Sequence, residues 1–372
     1  MTKGMLGFLL GAAGMFAVTY STQAILPQLG RDFHVSPARA GLSISVVVLA
    51  LAAGAWLWGP LSDRIGRRSS IVLASGLLVA PTIGVAAAPS FGLLLGFRAL
   101  QGLCMPGLLT AGVPYVAETF APRFGGRAMG YYVTALVAGG LVGRLGVGLL
   151  AAATGWRWAI GVLAALPLAA AIAMHRSLVD VPATPSARGH LQGIGRQLRN
   201  GALLRAIAVG AAFFFTFVGT FSYVVYRLEQ PPFRLGAAAR SAIFGLWLLG
   251  TAGPLFGRIS DRVGWRGLAL GSVLVAGLGL VLSLPTSLPS LLVGLALVAL
   301  GNFAGVTAAQ LGLAEADEVD RGASSAIYFS LYYAAGAVGG YLPGLAWETW
   351  RWDGVAGSGL AALVAAAVAL RL

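Results

Sequence analysis

The sequence predicts an all-α membrane protein, twelve transmembrane helices in two pseudo-symmetric six-helix bundles, and three observations carry that expectation. Of 372 residues, 58% are hydrophobic and 10% are charged, with a mean hydropathy of +0.84. A water-soluble domain must cover its surface with more polar side chains than this, so the solvent is lipid. The apolar residues fall into twelve runs, each long enough to cross a hydrocarbon core that takes about 20 residues of helix. The charged segment Gly59-Pro60-Leu61-Ser62-Asp63-Arg64-Ile65-Gly66-Arg67-Arg68, between the second and third runs, returns altered as Gly257-Arg258-Ile259-Ser260-Asp261-Arg262-Val263-Gly264-Trp265-Arg266 between the eighth and ninth. A charged tight turn at the same place in each half marks a duplicated chain.

The expected spans are 5–29, 40–59, 70–88, 91–115, 128–152, 156–175, 203–228, 239–257, 267–284, 288–313, 323–346 and 354–370. The first follows Lys3 and stays apolar through Tyr20 to Leu26; with eleven more runs after it, it is an uncleaved span rather than a signal peptide. Ala88-Pro89-Ser90 and Pro285-Thr286-Ser287 are turn formers that separate spans three from four and nine from ten. The longest polar stretch, Arg176 to Ala202, divides the chain into an N-terminal bundle (1–176), a cytoplasmic linker (177–202) and a C-terminal bundle (203–372). Basic residues are retained on the cytoplasmic side. With the N-terminus inside, sixteen of the 25 Lys and Arg lie in cytoplasmic segments and seven outside, with Arg98 and Arg144 inside spans, so both termini are expected in the cytoplasm.

The net charge of +13 does not indicate nucleic acid, because the cations sit singly or in short groups between apolar runs and form no basic stripe. Cys104 is the single cysteine, so no internal disulfide is possible; it reads as a small packing residue. His34, His175 and His190 are scattered at span ends, and no nucleotide loop, metal cluster or nucleophile with an adjacent base is present. The chain therefore reads as no enzyme, with no cofactor and no metal.

A second match between the halves is Thr154-Gly155-Trp156-Arg157-Trp158, expected to open span six, and Glu348-Thr349-Trp350-Arg351-Trp352, expected to open span twelve. Indoles flanking a cation suit the headgroup layer. Parallel six-helix halves imply a substrate site at their interface near mid-membrane and alternating access by rocking.

Over nearly its whole length the chain resembles the major facilitator superfamily. The Gly59 to Arg68 segment looks like that family's signature between spans two and three. Arg98-Ala99-Leu100-Gln101-Gly102 is similar to the span-four motif of its drug:proton antiporter branch. Gly139-Gly140-Leu141-Val142-Gly143-Arg144 with Gly155-Trp156-Arg157 looks like bacterial inner-membrane permeases described as sugar or arabinose efflux proteins. The resemblance implies a latch built from Gly59, Asp63, Arg64, Gly66, Arg67 and Glu118. In it Asp63 faces the positive N-terminal end of span eleven and Arg67 pairs with Glu118. In the second half Asp261 and Arg262 hold the matching places and Glu315 mirrors Glu118, but Trp265 replaces the arginine, so the resemblance implies no matching ion pair there.

Charge inside a span is costly and is a functional candidate by default. All twelve acidic residues fall at or beyond helix ends, which leaves no mid-membrane carboxylate for a cationic drug. Arg98 and Arg144 lie on the order of 10 to 12 Å below the outer ends of spans four and five. They can converge on an anionic group or hold freed carbonyls; for Arg144 the neighbouring glycines favour a structural role. Spans one, four, seven and ten line the cavity in the family, which makes Tyr20, Gln23, Arg98, Gln101, Phe217, Tyr223 and Asn302 the expected substrate-binding residues, with Phe213 and Gln310 beside them. Such uncharged hydrogen-bonding groups and aromatic faces suit a small neutral, sugar-like solute, and Arg98 adds the option of a carboxylate.

The expectation is a secondary transporter exporting a small neutral polar or anionic solute by proton antiport, the proton partner being implied by the resemblance alone. It would act as a monomer, multi-pass in the bilayer of a bacterial inner membrane. The alternatives are an organic-anion uptake or uniport carrier and a multidrug exporter.

Overall fold

The computed structural model describes residues 2–180, 197, 199–316 and 321–371. Most of the expected linker lies outside these residues, as do Arg188, Arg196, His190, Asp317, Glu318 and Asp320. Seven apolar helices come first: α1 (Lys3–Asp32), α2 (Pro37–Ile65), α3 (Arg67–Ala87), α4 (Phe91–Phe120), α5 (Arg127–Thr154), α6 (Trp156–Ser177) and α7 (Gly201–Glu229). Ala237–Leu282 and Ser324–Arg371 are continuous stretches of 46 and 48 residues, with Leu288–Ala316 between them. At ~1.5 Å per residue either long stretch would reach about 70 Å, more than twice a hydrocarbon core of ~30 Å. Each is broken once by left-handed backbone, at Gly264 (φ 71°) and Arg351 (φ 53°). The remaining spans are thus α8 (237–263), α9 (265–282), α10 (Leu288–Ala316), α11 (324–350) and α12 (352–371), completing the twelve.

Most helices outrun the expected spans by several residues at one or both ends. Hydropathy marks the depth of the lipid core, whereas helical hydrogen bonding continues into the polar ends. Much of the charged Gly59–Arg68 segment is accordingly helical: α2 runs through Asp63 to Ile65, and the chain turns at Gly66 alone (φ 86°). A side chain is strained in that backbone region, so the turn requires glycine. Thr2, Ser90 and Asn200 cap α1, α4 and α7 by accepting backbone N–H bonds from Met5, Leu93 and both Ala202 and Leu203.

Small residues bring helices into close contact in both halves. A Cβ at Gly139 or Gly143 of α5 would stand 2.0 or 2.1 Å from the Ala13 or Ala17 carbonyl oxygen of α1. In the second half Gly339 of α11 would come within 2.5 Å of the Phe215 oxygen of α7, and Gly336 is filled by the Phe214 ring. Spans one and five, and seven and eleven, therefore pack backbone to backbone, the membrane solution when lipid is as apolar as leucine. Large apolar side chains such as Leu57, Leu274 and Val364 are exposed, as a lipid-facing surface requires.

The described residues form two compact units. One comprises Met1–His34, Val46–Ser186 and Gly236–Gly245; the other comprises Val35–Ser45, Ala187–Leu235 and Leu246–Leu372. Each contains the opening turns of a helix whose remainder belongs to the other unit. In the first, Ser241 of α8 fills the space over Gly148 of α5; in the second, Gly41 of α2 packs on the Gly340 carbonyl of α11.

The Trp-Arg-Trp match between the halves is out of register by two residues. Trp156 and Trp352, not Trp156 and Trp350, follow the left-handed residues Gly155 (φ 86°) and Arg351 (φ 53°) and start α6 and α12. Both are buried, whereas Trp158 and Trp350 are exposed. The Trp156 indole donates to Asp32 (2.7 Å) and that of Trp352 to Ser283 (2.9 Å). The repeated unit is a break followed by one anchored indole.

Candidate functional site

Helix α1 does not run straight through. Its α-helical part ends at Tyr20, a tighter turn follows over Gln23–Ile25, and the helix resumes at Leu26 with Pro27 in its first turn. The break frees carbonyls inside the bilayer, where an unsatisfied polar group costs several kcal/mol or so. Arg98 of α4 adds donors there, beside Ser21, whose Oγ also donates to the Val18 carbonyl (2.9 Å). Its guanidinium donates to the carbonyls of Val18 (2.9 Å) and Thr19 (2.5 Å) and to Oε1 of Gln101 (2.7 Å). Gln101 passes the chain to α3, donating to Thr82 Oγ1 (2.9 Å), which donates to the Leu78 carbonyl (2.7 Å). Arg98 and Gln101 thus tie α1, α4 and α3 together, and Arg98 is fully buried.

Arg144 attends to the other side of the break. It sits on a π-helical turn of α5, Val142–Gly146, the kind of bulge that re-aims a side chain. It donates to Gln23 Oε1 (2.6 Å) and to the Gly140 carbonyl (2.7 Å), and its guanidinium carbon lies 3.9 Å from the Tyr20 ring centre. Phe244, from the opening turns of α8, stands 5.9 Å away. The five sequence candidates Tyr20, Gln23, Arg98, Gln101 and Arg144 are therefore gathered on one kinked stretch of α1.

In the second unit Phe217 of α7, Trp247 of α8 and Phe303 of α10 form an aromatic cluster. The ring centres are 4.7 Å apart for Phe217 and Trp247, 5.7 Å for Phe217 and Phe303, and 5.8 Å for Trp247 and Phe303. Next to Phe303 in the chain, Asn302 is 5% exposed, and its buried side-chain oxygen has no hydrogen-bond partner among the described residues. One helical turn after Phe217, the buried Thr220 hydroxyl also lacks a partner among them. Buried polar groups are nearly always paired, so an amide oxygen left without a partner among the described residues is available to a ligand. Trp247 and Phe303 were not singled out from sequence: Trp247 lies on span eight, outside the spans expected to line a cavity. Tyr223, by contrast, donates to the Gly340 carbonyl (2.7 Å) and fills the space over Gly41 and Gly344, where α2 meets α11.

At the repeated turns, Arg67 opens α3 and forms an ion pair with Glu118, which α4 presents from a second π-helical turn, Val116–Phe120. The Arg67 side chain is 15% exposed and that of Glu118 38%. Asp63 is half-buried and engaged, and Arg64 is exposed. A side chain at Gly59 would meet nothing within 4 Å, so no close approach requires that glycine. In the second turn Asp261 and Arg262 are exposed, Gly264 repeats the left-handed backbone of Gly66, and Trp265 is buried against Gly312 of α10.

The family model described as Major Facilitator Superfamily matches residues 8–340. The chain is similar to the MFS-type transporter YybF of Bacillus subtilis (strain 168), 30% identical over 359 residues that cover 94% of this chain and 88% of that protein. It is equally similar to the inner membrane transport protein YnfM of Escherichia coli (strain K12), 30% identical over 353 residues, 93% of this chain and 85% of that one. Among solved structures, a bacterial homolog of the human lysosomal transporter Spinster, inward-facing and occupied, matches with a TM-score of 0.81 at 17% identity, over 99% of this chain and 94% of that one. At that identity the likeness concerns the fold.

Proposed function

We propose that this chain, which belongs to the major facilitator superfamily and is a multi-pass membrane transporter rather than an enzyme, exports a small neutral polar solute of sugar-like chemistry in exchange for protons. The observation that carries this reading is the buried amide oxygen of Asn302, without a hydrogen-bond partner among the described residues, on the same helix α10 that supplies Phe303 to the aromatic cluster. An aromatic face covers the apolar side of a sugar ring, and an amide pairs with its hydroxyls. Arg98 and Arg144 add to the argument, because both guanidiniums are engaged by α1 and act as braces of its break rather than as anion receptors. The direction and the proton partner rest on the likeness of Arg98-Ala99-Leu100-Gln101-Gly102 to the antiporter motif. The excess of basic residues supports cytoplasmic termini in a bacterial inner membrane, and the protein would work as a monomer.

A second reading, export of flat apolar compounds, is favoured by the same aromatic cluster. Counterflow in proteoliposomes loaded in turn with sugars, organic anions and cationic dyes separates the two. The sugar-like reading expects exchange of a neutral polyol or sugar, weakened about 5- to 160-fold by Asn302→Ala, the loss of one or two hydrogen bonds at ~1 to 1.5 kcal/mol each. Exchange of dyes or anions alone, indifferent to Asn302→Ala, would sink it.

A further inference from the structure

On an exposed face of the first unit, α3 and α6 leave between them a groove of about 510 Å³. Its walls are apolar: Leu73 and Leu77 on α3 and Ile172 on α6, all between 42% and 48% exposed. Its floor is opened by Gly76, where a side chain would meet nothing within 4 Å. One end of the groove carries the cation Arg176 beside an imidazole. His175 and Arg176, both exposed, finish α6 and line the groove. Arg68, near the start of α3, donates to the His175 carbonyl (2.6 Å) and to the Asp180 carboxylate (3.2 Å). Asp180 is thus committed to Arg68, while Arg176 has no ion pair among the described residues.

We infer that this groove is a binding site for an anionic phospholipid, an acyl chain lying along Leu73, Leu77 and Ile172 and the headgroup phosphate on Arg176 and His175. The assignment follows from the order of the chemistry along the groove. An apolar trough open to the bilayer accepts a chain, and a cation where the helix leaves the hydrocarbon selects an anion over a zwitterion. A soluble anion would gain nothing from the trough, and a zwitterionic lipid, whose own ammonium offsets its phosphate, gains less from Arg176 than a net anion does. The site is separate from the Asn302 cluster and does not depend on the transported solute.

Native mass spectrometry of the purified full-length protein, titrated with phosphatidylglycerol or phosphatidylcholine of matched chain length, tests this. The expected result is a phosphatidylglycerol adduct that outweighs the phosphatidylcholine adduct about tenfold. Arg176→Gln should lower it about as much, and so, independently, should Gly76→Leu, which fills the trough without touching a charge. Equal binding of the two lipids would overturn the proposal, as would a phosphatidylglycerol adduct unchanged in both variants or displaced by inorganic phosphate. Both substitutions fall on exposed positions, and an unchanged unfolding temperature in detergent confirms that each variant is folded.

Discussion

The Gly59–Arg68 and Gly257–Arg266 turns have the same backbone and differ in what holds them. Each bends at a glycine in left-handed geometry, Gly66 and Gly264, and each places the next residue against the last turns of the following long helix. In the first that residue is Arg67, ion-paired with Glu118. In the second it is Trp265, whose ring lies where a side chain on Gly312 would stand, within 2.9 Å of a Cβ there. An ion pair at a half-wet helix end is weak and reversible. An indole seated on a glycine is neither, because withdrawing it leaves a cavity. The two turns therefore share their left-handed glycine and differ in the contact beside it, a partly exposed ion pair in one half and a buried indole in the other.

The largest effect should come from breaking the indole contact. Trp265→Ala is expected to destabilise the protein by about 3 kcal/mol, the lower end for such truncations, because in a bilayer packing is lost but little hydrophobic transfer. Thermal unfolding in a single detergent reads this, and a shift no larger than that of Arg67→Ala would contradict this difference. Next come the hinges: Gly66→Ala and Gly264→Ala force a side chain into a backbone region that costs roughly 1 to 3 kcal/mol. The two should lose stability alike, whatever distinguishes the contacts beside them. A difference beyond the measurement error would show that the shared backbone is not the shared element.

Asp63→Asn, at the half-buried acid of the first turn, is expected to slow counterflow while leaving folded protein in the membrane. The corresponding free energy is about 0.3 to 2 kcal/mol for an anion at the N-terminal end of a helix, the place expected for Asp63 at span eleven. Asp261→Asn, at the exposed acid of the second turn, should be milder; equal loss would place the working turn in the wrong half. The smallest effect belongs to the ion pair itself. Glu118→Gln should cost about 0.2 to 1 kcal/mol, diminishing with added salt, and the exchange Arg67→Glu with Glu118→Arg should recover most of it. Failure of the exchange under conditions where both single variants are impaired would mean that each residue acts through some other partner.

How much of this was legible in the sequence depends on the range of the interaction concerned. Twelve spans, the breaks at Pro285-Thr286-Ser287 and Ala88-Pro89-Ser90, and a turn somewhere within Gly59–Arg68 follow from residues a few positions apart: hydropathy fixes burial in lipid, and glycine or proline fixes the local backbone. The polar candidates Gln23, Arg98, Gln101, Arg144 and Asn302 were visible for the same reason, because a polar group within an apolar run stands out wherever it points. What they touch was not visible. That Arg98 closes on the carbonyls of Val18 and Thr19, that the buried Asn302 oxygen finds no partner among the described residues, and that Trp247 joins Phe217 from another helix depend on which helix faces are adjacent. The register of the second repeat shows the limit most plainly. As letters, Trp350-Arg351-Trp352 copies Trp156-Arg157-Trp158, yet the buried, hydrogen-bonded partner of Trp156 is Trp352, because the place where α11 breaks, not the string itself, decides which indole turns inward.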